Sequence, residues 1–175
     1  KNNPILRKKC NFNDDIYVTG NIGDSYLGLC VLQKKFDFGK YNLFYKKKYF
    51  EPEIQTKFSQ YLSKFATSSI DISDGLAQDF KHLCKNSKCG ALIDLNLLPL
   101  SFFTKNLIKK KKVHLTKIFS KGDDYQILFT ANKNKEKLII RIAKKTNTLV
   151  TKIGVVVKNK FKNSPKTQGY VHKFS

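Results

Sequence analysis

The chain has 175 residues, 41% of them hydrophobic, and carries 34 Lys and Arg against 13 Asp and Glu, for a formal net charge of +21. That apolar content is enough to bury a core, which excludes global disorder and is compatible with one domain. No apolar run approaches the roughly 18 to 20 residues that cross a bilayer, and KNNPILRKKC lacks the apolar segment of a secretory signal, so a cytoplasmic protein with no membrane partner is expected.

The charge is almost all lysine: Arg7 and Arg141 are the two arginines. Lysine lacks the planar fork that suits bidentate reading of bases and phosphates. With Asn, Ile and Phe abundant and Met and Trp absent, the pattern reads as compositional drift that spreads lysine over tolerant surface. Nucleic acid is therefore not expected as a partner, although a lysine-rich nucleic-acid-binding domain stays open as an alternative of a different class. The four cysteines, Cys10, Cys30, Cys84 and Cys89, have no zinc-type spacing and read as free thiols. A chain without methionine that starts at Lys1 is expected to be a piece of a longer protein.

In chain order, the β-branched and aromatic run Asp15 to Thr19 predicts a strand, followed by a glycine turn in which Asp24 is expected to cap a helix through SYLGLCVLQKK. FDFGKYNLFYKKKYFEP reads as a connection, and Pro52 as the opening of a helix through EIQTKFSQYLSKFA with Ile54, Phe58, Tyr61, Leu62 and Phe65 on one stripe. Ser69 to Ile72 is a strand that turns into the helix GLAQDFKHLCKNSK, and Gly90 to Leu95 is the next strand. Helices follow in LPLSFFTKNLIKKKK and VHLTKIFSK, then a strand in YQILFTA, an amphipathic helix in KEKLIIRIAKKTN and a strand in TKIGVVVKN, with an irregular tail. Alternating strands and helices argue for a layered α/β or α+β domain, a mixed sheet with packed helices. Neither GxxxxGK[ST] nor GxGxxG occurs.

The densest chemistry is SSIDISDGLAQD, residues 68 to 79. Strand alternation points Ile70 and Ile72 inward and puts Asp71 and Ser73 on the other face, with Asp74 at the turn before Gly75. Two carboxylates about 4 Å apart repel by roughly 4 kcal/mol at an effective dielectric of 20 unless a proton or cation intervenes. Mg2+, which takes one or two carboxylates and fills its shell with water and phosphate oxygens, fits that pattern, and the helix N-terminus would offer free N–H donors to an anion. Plain turn and cap chemistry is the competing reading of the same residues. Asp79 is expected to face solvent. A second acidic turn, Lys121-Gly122-Asp123-Asp124, precedes the strand YQILF.

Five strings in order, VTGNIGDSYLGLCVL (18 to 32), SSIDISDGLAQDF (68 to 80), GALIDLNLLPLS (90 to 101), KGDDYQILFT (121 to 130) and TKIGVV (151 to 156), resemble the thiamine-monophosphate kinase family within the aminoimidazole ribonucleotide synthetase superfamily. The resemblance covers nearly the whole chain but only the C-terminal part of a family protein. It implies residues 1–175 as that C-terminal domain, with 1–13 a linker from a missing N-terminal domain, and a homodimer at full length. It further implies transfer of the γ-phosphate of ATP to thiamine monophosphate with several Mg2+ ions. By residue, it implies Asp71 and Asp74 as Mg2+ ligands, Ser73 and Arg7 as ATP contacts, and Asp123 and Tyr170 as substrate contacts. Asp123 and Gln126 stand where the family has Glu, and an extra Lys separates His172 from Phe174. Another superfamily member, acting on a purine precursor or making selenophosphate, and a metal-free structural fragment are the remaining alternatives.

Overall fold

The computed structural model describes residues 9–158 and the backbone of 171–174. Within them lie β1 (Asp15–Thr19), α1 (Asp24–Leu32), α2 (Asn42–Phe50), α3 (Thr56–Ser59), β2 (Ala66–Asp71), α4 (Leu76–Ser87), β3 (Gly90–Asp94), α5 (Phe102–Lys109), α6 (Leu115–Phe119), β4 (Ile127–Ala131), α7 (Glu136–Thr146), β5 (Val150–Val157) and β6 (Val171–Phe174), joined by short 3-10 turns. The layered α/β expectation holds. Six strands form one sheet in the order β2-β4-β1-β5-β3-β6, and its pairings are antiparallel rather than mixed. Among the described residues no helix is long and apolar enough to cross a membrane.

Period-two alternation divides the core. Ile16, Val18, Ile70, Leu128, Ile153 and Val156 face α1, α4, α5 and α6, whereas Tyr17, Phe129 and Ala131 face α3 and α7. Tyr17 lies directly opposite Phe129 in the β1–β4 register, and their rings stack at 5.2 Å between centroids. Phe65 and Phe58 close on the same ring at 5.5 and 5.8 Å. The register also decides where the site lies. Asp71 pairs with Ile127, Val18 with Leu128 and Thr19 with Val150, so the end of β2, the start of β4, the end of β1 and the start of β5 share one edge.

Three segments depart from expectation. The lysine- and aromatic-rich connection contains α2, which buries only Tyr45 of its own residues and docks on α1 where Gly28 leaves no room for a side chain. A Cβ at Gly28 would stand 2.1 Å from the Tyr45 carbonyl oxygen. The helix expected from Pro52 is reduced to α3 and a 3-10 turn, because the chain must extend by Ala66 to pair with Ala131; Ile54 consequently leaves the stripe and is exposed. The tail expected to be irregular supplies β6, which pairs with β3.

One buried carboxylate ties the layers together at the shared edge. Both oxygens of Asp124 accept the Gly23 N–H, at 2.8 and 2.9 Å, so the cap residue of α1 is held to the loop before β4. Its neighbours Asp123 and Tyr125 both adopt left-handed backbone, with φ of 69° and 50°, which costs roughly 1–2 kcal/mol each and persists because Asp124 is anchored between them. Burial pushes the Asp124 carboxyl up to about 8; the Gly23 and Ser25 N–H groups oppose this, and the nearby Asp24 and Asp123 carboxylates add to it.

Two outcomes follow for stability. Phe129→Ala, at the centre of the aromatic cluster, should cost about 3–5 kcal/mol in urea unfolding. An unfolded aspartate titrates near 3.9, so between there and about 8 the folded chain keeps a proton the unfolded chain has lost, and stability falls as pH rises. The slope is up to about 1.4 kcal/mol per pH unit for this proton. Asp124→Asn should flatten that decline by about one proton, measured as unfolding free energy between pH 5 and 8; an unchanged slope would count against it.

Candidate active site

The corner where β2 runs into α4 carries the acids singled out in the sequence. Ile70 and Ile72 are buried and Asp71 exposed, as strand alternation requires, and Asp74 is exposed on the turn that follows. The backbone pairing of β2 with β4 continues past the last strand residue: Ile72 N–H donates to the Gln126 carbonyl at 2.8 Å, Tyr125 N–H to Ile72 at 2.9 Å, and Asp123 N–H to Ser73 at 3.0 Å. The loops 72–75 and 121–126 therefore lie side by side. Two glycines make that approach feasible. A Cβ at Gly122 would lie 2.0 Å from the Ser73 carbonyl oxygen, and Gly75, at φ 120°, packs against the Lys121 backbone. Asp71, Ser73, Asp74 and Asp123 are thus assembled on one edge of the sheet by backbone contacts.

Asp79 overturns its expected place on the solvent face. It is buried, and its Oδ2 accepts the N–H groups of Ser73, Asp74 and Gly75 at 3.0, 3.1 and 3.1 Å. These donors belong to the turn that leads into α4, whose N-cap is Gly75, and Asp79 folds back onto them from the first turn of the helix. These three donors are occupied by the chain itself. The string D-G-L-A-Q-D held the signal: a glycine cap followed by a first-turn acid. Asp74 itself accepts from Gln78 Nε2 at 3.3 Å.

Asp24, expected as a helix cap, sits inside the first turn of α1 with Gly23 as the cap residue. Its Oδ1 accepts the hydroxyls of Ser101 and Thr104 at 2.8 and 2.7 Å, which fastens α1 to the start of α5, and burial pushes its carboxyl up. Gln126 shows what amide chemistry adds where the resembled family has Glu. Its Oε1 accepts from Thr19 at 2.9 Å and its Nε2 donates to the Glu53 carbonyl at 2.8 Å, a donation that an ionised Glu cannot make. Arg7 and Tyr170 lie outside the described residues.

The donor set suits a hard cation held from one side. Among the described residues no group of three or more His, Cys, Asp or Glu is arranged to hold a metal, so a closed protein cage is not formed. Two exposed carboxylates beside a hydroxyl are what Mg2+ uses when water and phosphate supply the rest of its octahedron. The four cysteines are unbridged and buried, with Cys10 Sγ 2.7 Å from Cys89 Sγ. A separate cavity of about 680 Å3 opens between α7 and the sheet, lined by Tyr17, Asn21, Ile140, Lys144 and Leu149 among others, away from Asp71 and Asp74.

No protein-family model matches the chain. A thiamine-monophosphate kinase of Buchnera aphidicola subsp. Schizaphis graminum is 40% identical over 147 residues, covering 82% of this chain and 45% of that protein. The Escherichia coli K12 enzyme of the same name is 40% identical over 128 residues, 72% of this chain and 39% of that protein. Among solved structures, AaThiL complexed with AMPPCP and TMP superposes with a TM-score of 0.77 at 28% identity, covering 96% of this chain and 54% of that one. The chain spans about half the length of the relatives it matches, and by sequence and fold it belongs to the thiamine-monophosphate kinase family.

Proposed function

We propose that this chain contributes one wall of a thiamine-monophosphate kinase active site, at which the γ-phosphoryl group of ATP passes to the phosphate of thiamine monophosphate. The observation that carries this reading is the corner itself: Asp71, Ser73 and Asp74 held beside Asp123 by the Ser73 carbonyl, in a chain whose relatives bear that enzyme's name. Asp71 and Asp74 would hold Mg2+, Ser73 and Arg7 would contact ATP, and Asp123 and Tyr170 would contact thiamine monophosphate. Bound Mg2+ would neutralise charge on two phosphates that otherwise repel, the principal need in this class of transfer.

The chain's own groups would serve positioning. The left-handed backbone at Asp123 turns that residue out of the loop next to Ser73, and the Asp124 anchor holds it there. Because the chain spans about half of its relatives, the rest of the site would come from another segment of the protein, the N-terminal domain expected from the resemblance. Residues 1–175 are read as the C-terminal domain that joins it, in a cytoplasmic homodimer, and these residues alone should turn over negligibly.

Asp71→Asn and Asp74→Asn, made at full coding length, should each lower kcat/KM with thiamine monophosphate by at least about a hundredfold. Both sites are exposed, so stability should change by no more than about 0.5 kcal/mol, the range of a surface substitution. Steady-state kinetics with a thermal melt on each variant checks this; near wild-type turnover in either would remove the metal assignment.

A further inference from the structure

The same corner contains a carboxylate to which the proposed chemistry gives no task. Asp79 is only 3% exposed, and one of its oxygens gathers three successive backbone N–H groups, those of Ser73, Asp74 and Gly75. Successive amides that converge in this way form a concavity suited to anions, and at a helix N-terminus the helix dipole strengthens it. A phosphate would be the expected visitor. Here the visitor is built into the chain, one turn along α4.

Two physical consequences follow. The three donors are used, so a nucleotide phosphate gains no direct contact from the amides of residues 73–75. The helix end also carries about half a positive charge, which Asp79 outweighs when ionised; burial pushes its carboxyl up, and the three N–H groups oppose this. What remains facing outward is Asp71 and Asp74, on a turn whose inner side is already negative. The turn is fixed from its other side by the Asp123 N–H on the Ser73 carbonyl and by Gly75 against the Lys121 backbone, so Asp79 closes the last free side of a clamped loop.

We propose that Asp79 is a positioning residue that converts the turn leading into α4 from an anion-binding nest into a cation site. It fixes the backbone of residues 73–75, aims Asp74 outward, and leaves phosphate to be held through the divalent cation. The inference rests on the kinase reading for the identity of the phosphate, but its effect on cation binding is separable from turnover.

The test uses the full-length protein with Asp79→Asn and Asp79→Ala. Mn2+ affinity is read by electron paramagnetic resonance in the presence of a non-hydrolysable ATP analogue, amide hydrogen exchange is followed at residues 73–75, and Mg2+ titrations of turnover are run beside them. Asn keeps an oxygen acceptor but loses the charge, so exchange at 73–75 should stay slow while Mn2+ binds about tenfold more weakly, the usual scale for loss of a supporting residue. Ala should lose both, with faster exchange at 73–75 and at least that loss of affinity. Should Ala not fold, the Asn variant still decides the matter. Mn2+ affinity and Mg2+ dependence equal to wild type in a folded Asn variant would overturn the proposal. A wild-type protein that binds Mn2+ at this corner yet phosphorylates no thiamine monophosphate would instead reject the kinase reading and leave the role of Asp79 intact.

Discussion

The functional corner depends on a backbone contact between two loops far apart in sequence. When the Asp123 N–H meets the Ser73 carbonyl and the Tyr125 N–H meets that of Ile72, the β2–β4 ladder runs beyond its strands into the turns that carry the acids. The contact is possible only because Gly122 brings no side chain against Ser73. Around it, two carboxyl groups do parallel work: Asp79 gathers the amides of the turn that leads into α4, and Asp124 binds the amide of Gly23, the cap residue of α1. Each satisfies loop donors that would otherwise be left open.

This resolves an oddity of composition. In a chain of net charge +21 with 13 acidic residues, five of the acids, Asp14, Asp15, Asp24, Asp79 and Asp124, are buried. Each has a structural partner. Asp14 accepts from the Asn11 N–H and the Thr67 hydroxyl, Asp15 pairs with Lys152 at 2.8 Å, and Asp24 receives two hydroxyls from the α5 region. The buried acids thus sit where a backbone N–H, a hydroxyl or an ammonium group meets them. The charge excess therefore says little about ligands, and the placement of the few acids says a good deal.

Much of the fold was legible because periodicity reports burial. β1, β2, β4 and the helices α4 and α7 follow the alternation and the helical spacing read from their residues, and Asp71 falls on the outward face that alternation gave it, with Asp74 on the turn beyond. The failures have physical causes. α2 buries one of its own residues and is surrounded by lysines, so its pattern resembles a connection; its docking is decided by Gly28 on another helix. α3 is cut short by the demand of β2 for an extended chain, a tertiary constraint that local propensity does not register. Asp79 read as surface because a first-turn acid is ordinarily solvated, and its burial follows from three amides converging from a turn whose shape Gly75 and Gly122 set.

The central claim is that the end of β2 and the start of α4 form a divalent-cation site at which phosphates meet. The most direct measurement is anomalous diffraction from crystals of the full-length protein grown with Mn2+, a non-hydrolysable ATP analogue and thiamine monophosphate. The account predicts manganese peaks within coordination distance of Asp71 and Asp74, with phosphate oxygens completing the shell. Manganese bound elsewhere, with nucleotide phosphates seated directly on the amides of residues 73–75 in place of Asp79, would contradict it.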